Sequence, residues 1–437
     1  VFDKTLPTLG SVSIASNNST NTVATSGNTV TLEFTADEEI HDSTAGVDYA
    51  VTFQSGGVDI NDATITYKNP GGGNTYTATY TVAAGDTGGN ITFSITFKDL
   101  ANNDGAADTD VDGSSAVTLD KTLPSLTTVS IASDRSPGTF AKDGDVVTLT
   151  MVANEVISEP VVTFKSGGVA ITDTSIDYVN TTGNTWTAKY TADEDDTDGA
   201  VTFSAAITDL AGNLDTFTTV TSGGGSVTFD DIPPTISDVS IESNNSPGPK
   251  TYAKDGHVVT LSFTTNEAIA EPVVVFKSNG GSDLTDTVTY TNTNNPDKTE
   301  WTAAYEADSG HGEGPVTYTI DFADLSANAG TQATSGSGSV TFDDTAPTLS
   351  SSSPADNATG VSLNTNIALT FSEAVTWTAN NITVTPTGNT AVNYANNASG
   401  VSKSGASVTL DVPDFTASAA YDIQIGNNVI KDLAGNA

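Results

Sequence analysis

The stretch VTLEF, residues 30–34, decides the fold of this chain, because apolar and polar residues alternate along it without a break. The same pattern returns as VTLTM at 147–151, as VTLSF at 259–263 and as IALTF at 367–371. A period of two places one face of a strand in a hydrophobic core and the other face in water. The sequence therefore predicts a β-rich module that is repeated along the chain.

A short acidic and proline-containing segment precedes each copy of that stretch. It is DKTLP at 3–7 and again at 120–124, DDIPP at 230–234, and DDTAP at 343–347. The first aspartates of these segments are 117, 110 and 113 residues apart, which is the length of one compact domain. We predict four domains, named modules 1 to 4 here, with boundaries at 3–119, 120–229, 230–342 and 343–437.

About seven alternating segments separated by turn residues occupy each module of roughly 100 residues, which is typical of an immunoglobulin-like sandwich. No segment has a convincing helical period. We therefore predict an all-β chain, an elongated tandem array of four Ig-like β-sandwich domains. Tyr76, Trp186 and Trp301 occupy matching positions, and we interpret them as core anchors and not as a ligand-stacking surface. The prolines of the segments between modules, Pro7, Pro124, Pro234 and Pro347, favour joints with restricted motion.

The chain is strongly acidic, with 54 Asp and Glu against 14 Lys and Arg and a formal net charge of −40. Such a charge repels nucleic acid and anionic membranes and favours divalent cations as partners. A solvated anionic surface that keeps the protein soluble is the alternative.

Cysteine is absent, so disulfides and thiolate metal sites are excluded. No apolar run predicts insertion into a bilayer, and none predicts a signal peptide. Both ends fall inside a repeat, which predicts a piece of a longer protein.

Catalytic constellations are missing from the sequence. His41, His257 and His311 lie in different modules and in polar settings, and no nucleophile elbow, phosphate-binding glycine loop or zinc-ligand spacing is present. We therefore predict that the chain is not an enzyme.

The phrases D-x-x-x-P, V-T-L-x-F-x-x-N-E and D-L-A-G-N resemble the repeats of giant prokaryotic surface proteins built from Ig-like domains, among them S-layer proteins and large repeat adhesins. Module 4 is similar to the S-layer type of Ig-like domain through FSEAV at 371–375 and IKDLAGN at 430–436. The resemblance implies an extracellular place at the cell surface or envelope and a structural role, with copies of itself or neighbouring modules of the same long chain as partners. The alternatives are an adhesin that binds a glycan or protein, and spacer modules of a secreted enzyme.

A local calcium site is predicted in module 1, where Asp108, Asp110 and Asp112 alternate before a glycine. Carboxylates at this spacing wrap a hard cation in oxygen ligands, and Asp104 or Asp120 completes the shell. The match to an EF-hand ends there, since Leu119 occupies the position of the bidentate glutamate. An acidic solvated loop is the alternative.

A second set of acids recurs near the module boundaries and also predicts bound calcium. If strands run the length of each sandwich, these acids gather where domains meet, and converging carboxylates repel unless a cation lies among them. Similar surface repeats use calcium to stiffen joints. The alternative is that each aspartate only caps its own turn. The set comprises the linker residues Asp120, Asp230 and Asp343, the Asp-Leu residues Asp99, Asp209 and Asp324, and the corner residues Glu38, Glu155, Glu267 and Glu373.

Eight Asn-x-Ser/Thr sequons occur, and many arise by chance in a chain rich in these residues. Asn17, Asn244 and Asn357 lie in predicted loops and are the best candidate glycosylation sites.

Overall fold

The computed structural model describes residues 2–41, 49–61, 64–69, 73–172, 175–221, 223–281, 283–377 and 380–437. Within these ranges all regular secondary structure is β-strand, which confirms the predicted all-β class. No helix in the described ranges is long and apolar enough to cross a membrane. The chain forms two compact units, Val1–Asp231 and Ile232–Ala437.

In the first half of unit 1, the described residues form two layers that together contain nine strands. One layer has the order β1-β3-β7-β6 and the other the order β2-β9-β8-β4-β5, in which β2 and β9 are parallel. The strands are β1 (Leu9–Ser16), β2 (Val23–Ala24), β3 (Thr29–Ala36), β4 (Tyr49–Ser55), β5 (Val58–Asp59), β6 (Thr66–Lys68), β7 (Thr75–Thr81), β8 (Gly89–Phe97) and β9 (Val117–Leu119).

The second half of unit 1 repeats this arrangement, with the layers β10-β12-β16-β15 and β11-β19-β17-β13-β14. An additional strand, β18, pairs with β17. The strands are β10 (Leu126–Ser133), β11 (Phe140–Ala141), β12 (Val146–Ala153), β13 (Val161–Ser166), β14 (Val169–Ala170), β15 (Asp177–Thr182), β16 (Thr185–Thr191), β17 (Gly199–Thr208), β18 (Leu214–Phe217) and β19 (Val227–Phe229).

Unit 2 begins with the same two layers, here β24-β25-β22-β20-β27 and β21-β28-β26-β23. The strands are β20 (Ile236–Ser243), β21 (Tyr252–Ala253), β22 (Val258–Thr265), β23 (Val273–Ser278), β24 (Thr289–Asn292), β25 (Glu300–Glu306), β26 (Gly314–Asp321), β27 (Ser337–Gly338) and β28 (Val340–Phe342).

The end of unit 2 differs from the other repeats. Its sheets have the orders β29-β30-β35-β34, β31-β37 and β33-β32-β36. The strands are β29 (Leu349–Ser353), β30 (Ile367–Phe371), β31 (Thr376–Trp377), β32 (Ile382–Pro386), β33 (Val392–Tyr394), β34 (Val401–Ser404), β35 (Ser407–Leu410), β36 (Tyr421–Ile425) and β37 (Ile430–Lys431).

The buried side chains form a large hydrophobic core within each of the ranges 12–119, 129–229, 239–342 and 367–430. In the first three ranges the two layers meet through an aromatic pair. The ring centroids of Phe53 and Tyr80 are 4.8 Å apart, and those of Phe276 and Tyr305 are 4.7 Å apart. Tyr76 and Trp301 are buried and Trp186 packs against its core, as predicted for anchors. The cores lie inside the four predicted modules, whose exact boundaries stay a prediction.

Candidate functional site

The Asp-Leu turn of modules 1, 2 and 4 is built around a buried aspartate. In module 2, Asp209 directly follows β17 and is 2 % exposed. Its Oδ1 accepts the N–H groups of Gly212 (2.7 Å) and Asn213 (2.9 Å), and its Oδ2 accepts the Asn213 side-chain amide (2.8 Å). Asp99 and Asp432 accept the same kinds of hydrogen bond. Each aspartate therefore caps its own turn, which is the alternative to calcium binding given above for these residues.

The same carboxylates also gather with two others, so capping and convergence coexist. In each acidic triad, as we name these clusters, one carboxylate oxygen of each member lies within 4.8 Å of the other two. A triad consists of a linker Asp, the corner Glu and the turn Asp of the module that follows that linker. The triads are Asp3–Glu38–Asp99 in module 1, Asp120–Glu155–Asp209 in module 2 and Asp343–Glu373–Asp432 in module 4.

The linker aspartate is held in place by the turn of the module that follows it. The side-chain amide of Asn213 donates to the backbone carbonyl of Asp120 at 3.1 Å, and that of Asn436 donates to the carbonyl of Asp343 at 2.7 Å. In addition, Asp120 Oδ1 accepts the N–H of Thr122 at 2.9 Å, which fixes its rotamer. The final Asn of the D-L-A-G-N pattern thus ties the linker to the buried aspartate.

Module 3 repeats part of this arrangement within unit 2. Carboxylate oxygens of Glu267 and Asp324 lie within 4.8 Å of each other, and Asp324 accepts the backbone and side-chain N–H groups of Asn328 at 2.9 Å each. Asp230 belongs to unit 1, where its N–H donates to the carbonyl of Ala141 at 2.9 Å.

The corner glutamates Glu38 and Glu155 are poorly compensated as anions. Burial raises the pKa of Glu155, and the neighbouring Asp209 and Asp120 raise it further. The pKa of Glu38 is raised by burial and then by Asp3 and Asp99. Burial opposes ionisation of Asp99 too, but the hydrogen bonds from Asn103 and from the backbone outweigh it and lower its pKa. Within the described ranges, no lysine or arginine forms an ion pair with any member of the three triads. Each triad is therefore an oxygen-rich, negatively charged cluster of the kind that suits Ca²⁺.

The triad of module 4 has the strongest perturbation. Burial raises the pKa of Glu373 to about 7, with further contributions from Asp343, Asp432 and a hydrogen bond between Glu373 and Asp343. The pKa of Asp343 is raised as well, again chiefly by burial. The hydrogen bond between them raises the pKa of Glu373 and lowers that of Asp343, so Glu373 is the group that retains the proton.

The raised pKa of Glu373 predicts that module 4 loses stability as the pH rises. Below pH 4.5 the residue is protonated in both states; above that value the unfolded chain releases the proton while the folded module retains it, so stability falls until pH 7. The full shift corresponds to about 3 kcal/mol, and solvent screening at this partly buried side chain reduces the expected loss to about 1 kcal/mol.

Urea unfolding in chelator at pH 5 and at pH 8 measures this loss. Trp377 fluorescence reports on module 4 when Trp186 and Trp301 are replaced by phenylalanine. Glu373→Gln in the same background lacks the titrating group. Relative to the parent, we expect it to gain about 1 kcal/mol more at pH 8 than at pH 5. An equal difference at the two pH values would contradict the prediction.

The predicted calcium loop of module 1 is not gathered into such a cluster. Asp112 Oδ2 accepts the N–H of Val12 at 2.9 Å, and Asp112 donates its own N–H to the carbonyl of Val12 at 2.8 Å. Asp108 pairs through its backbone with Ile95, and its Oδ1 accepts the N–H of Asp110 at 3.0 Å. The carboxylate of Asp104 lies 3.1 Å from the ammonium of Lys98. The two contacts of Asp112 satisfy the backbone N–H and carbonyl of Val12 in β1. Calcium binding in this loop stays a prediction.

One histidine lies in a setting that the sequence did not indicate. The side chain of His311 is 7 % exposed, and its Nε2 is 2.7 Å from Asp286 Oδ2 and 3.9 Å from Asp308 Oδ2. Its ring centroid is 5.8 Å from that of Tyr305 and 5.4 Å from that of Phe342. The two aspartates give His311 the polar neighbours that the sequence predicts, and the aromatic neighbours, which come from other strands, are an addition that its flanking glycines did not indicate.

The three candidate glycosylation sites are exposed. Asn17 Oδ1 accepts the N–H of Thr29 at 2.8 Å, Asn244 Oδ1 accepts that of Val258 at 2.9 Å, and Asn357 Nδ2 donates to Asp356 at 3.0 Å. Glycosylation of these residues stays a prediction.

The fold and the repeated turns define an all-β chain built from tandem Ig-like β-sandwich domains. Residues 343–437 match the family model of a bacterial Ig-like domain. No curated protein matches the chain.

Several solved tandem-Ig structures are similar to the chain at low identity. Titin domains I67–I69, in an E-to-A mutated variant, align over 78 % of this chain and 100 % of that one, with 15 % identity and a TM-score of 0.31. A tetra-tandem repeat in the extending region of a large adhesion protein aligns over 96 % and 97 %, with 16 % identity and a TM-score of 0.30. Likenesses at this level support no conclusion about function.

Proposed function

We propose that the chain is a non-catalytic structural segment of an extracellular surface protein, in an S-layer lattice or a filament, and that calcium stiffens its module junctions. The observation that supports this most directly is the recurrence of the acidic triad at the start of modules 1, 2 and 4. Each triad combines a carboxylate from the linker with two from the module body, so a cation bound there fastens the linker to the module.

Calcium fits the donor set better than a transition metal. The triads offer only carboxylate oxygens, which are hard ligands, and the chain has no cysteine. The remaining coordination positions are available to water and to backbone carbonyls, as calcium tolerates. Burial and then mutual repulsion raise the pKa values of Glu155 and Glu373, and cation binding would relieve the repulsion.

The same features support the proposed surface location. A polyanionic chain of Ig-like domains with a match to a bacterial Ig-like family suits a cation-rich medium outside the cell. Labelling of intact cells of the source organism with an antibody against the chain tests this location. Labelling that requires permeabilised cells would contradict it.

Small-angle scattering of the full chain in calcium and in chelator tests the stiffening. We expect the maximum dimension and the persistence of the chain to fall when calcium is removed. The matched control replaces the four corner glutamates Glu38, Glu155, Glu267 and Glu373 by glutamine, and its scattering should not respond to chelation. Sodium chloride at equal ionic strength separates binding from screening. Identical scattering of the unmodified chain with and without calcium would overturn the proposal.

A further inference from the structure

A direct protein contact joins modules 1 and 2 inside unit 1. The side-chain amide of Asn18 donates to the backbone carbonyl of Ala211 at 2.8 Å. The hydroxyl of Thr25 donates to Asn213 Oδ1 at 3.1 Å. Both acceptors belong to the Asp-Leu turn of module 2, so the loops of module 1 bind the element that carries the triad of the next module.

Inside unit 2, modules 3 and 4 are joined in the same way. Asn245 is 6 % exposed, and its side-chain amide donates to the carbonyl of Leu433 at 2.9 Å. The ammonium of Lys254 donates to the carbonyl of Gly435 at 3.1 Å. These acceptors again lie in the Asp-Leu turn, here that of module 4.

The donors occupy equivalent positions in the two modules. Asn18 and Asn245 each lie two residues beyond the end of the first strand, and the N–H of each donates to the hydroxyl of the serine that ends that strand. Thr25 and Lys254 each directly follow the short second strand of their module. Two separate joints therefore place the same loop and the same turn in contact.

We infer that these two loop positions form a docking surface whose partner is the Asp-Leu turn of the next module. The buried aspartate uses its carboxylate to accept the N–H groups of the turn, which leaves the turn carbonyls in need of donors. An asparagine amide supplies that donor without bringing another negative charge next to the triad. The docking contact involves no cation, so it acts at the joint in addition to the calcium-dependent stiffening proposed above.

Module 2 differs at the position of the docking asparagine. Arg135 lies there, with its N–H on the hydroxyl of Ser133, and its guanidinium binds Asp145 of its own module at 2.6 and 3.1 Å. The asparagine donor is thus specific to modules 1 and 3 among the first three modules.

The absence of cysteine allows pairs of spin labels to test the contact in the full chain. Labels at Thr52→Cys and Thr163→Cys report on modules 1 and 2, and labels at Thr317→Cys and Ser402→Cys report on modules 3 and 4; all four residues are exposed. Distance distributions are recorded in chelator, so that calcium does not contribute. Asn18→Ala should increase the population outside the docked distance peak about fivefold for the first pair, as the loss of one hydrogen bond predicts. Asn245→Ala should do the same for the second pair.

The neighbouring asparagines provide matched controls. The side chains of Asn17 and Asn244 accept backbone N–H groups of their own modules, so Asn17→Ala and Asn244→Ala should leave the inter-module distributions unchanged. Thr25→Val tests the joint without altering the Asn18 loop and should also broaden the first distribution. If Asn18→Ala and Thr25→Val both gave the distribution of Asn17→Ala, with module 1 still folded, the inference would be overturned. Since chelator is present throughout, this outcome is independent of the calcium proposal.

Discussion

Replacing Asp209 by alanine is expected to lower the free energy of unfolding of module 2 by about 3 kcal/mol, because three donors lose their acceptor. These donors are the N–H groups of Gly212 and Asn213 and the side-chain amide of Asn213, all within 2.9 Å of the Asp209 carboxylate. The residue is 2 % exposed, so water cannot fully replace the lost acceptor. Hydrogen exchange of the full chain in chelator, read peptide by peptide, measures the loss in module 2 alone.

Two further variants separate the turn from the charge. Asp209→Asn keeps an oxygen for the two backbone donors and loses only the acceptor for the Asn213 amide. We expect it to cost about 1 kcal/mol. Asp177→Ala removes an exposed carboxylate of the same module and should change stability by less than about 0.5 kcal/mol. If Asp209→Ala were as stable as Asp177→Ala, the turn would not depend on its buried aspartate.

The fold could be predicted from local alternation because strands buried on one face carry that pattern in every repeat. The stretch at 30–34 lies in β3, and those at 147–151, 259–263 and 367–371 lie in β12, β22 and β30. Two-residue strands such as β2 and β21 escaped prediction, since their pairing partners are remote and two residues show no period. The environment of His311 escaped for the same reason: its aromatic neighbours come from other segments of the chain.

The residues of the candidate site could be predicted where a sequence spacing recurs in each module. They could not be predicted where contacts between distant segments determine which side chains meet. The repeated linker Asp and D-L-A-G-N pattern indicated both turn capping and convergence, and the geometry of Asp209 shows that one carboxylate does both. The alternating Asp108, Asp110 and Asp112 predicted a cation-binding loop from sequence as clearly as the repeated acids predicted the triads. β1 is an edge strand, however, and Asp112 accepts the backbone N–H of Val12 on its open side. Asn18 and Asn245 had no recognisable signal beyond their place in matching loops.

Calcium is expected to stabilise each triad-bearing module, and the gain should disappear module by module when the corner glutamate is neutralised. At a free calcium concentration 100 times the dissociation constant, linkage predicts a gain of about 2.7 kcal/mol. Glu155→Gln should abolish the gain in module 2 and leave that of module 4, whereas Glu373→Gln should do the reverse. Each variant is therefore the control for the other. Peptide-resolved hydrogen exchange with and without calcium measures both modules in one sample.

The direction in which Glu155→Gln changes the stability of module 2 in chelator provides an additional test. Because burial and the two aspartates raise the pKa of Glu155, its ionised form destabilises the folded module at neutral pH. Glu155→Gln should therefore stabilise module 2 slightly without calcium and make it less stable than the unmodified module with calcium. A purely capping role for the acidic residues predicts no such reversal, since Glu155 accepts none of the hydrogen bonds of the Asp209 turn. Equal stability of module 2 in calcium and in chelator would show that its triad does not bind the cation.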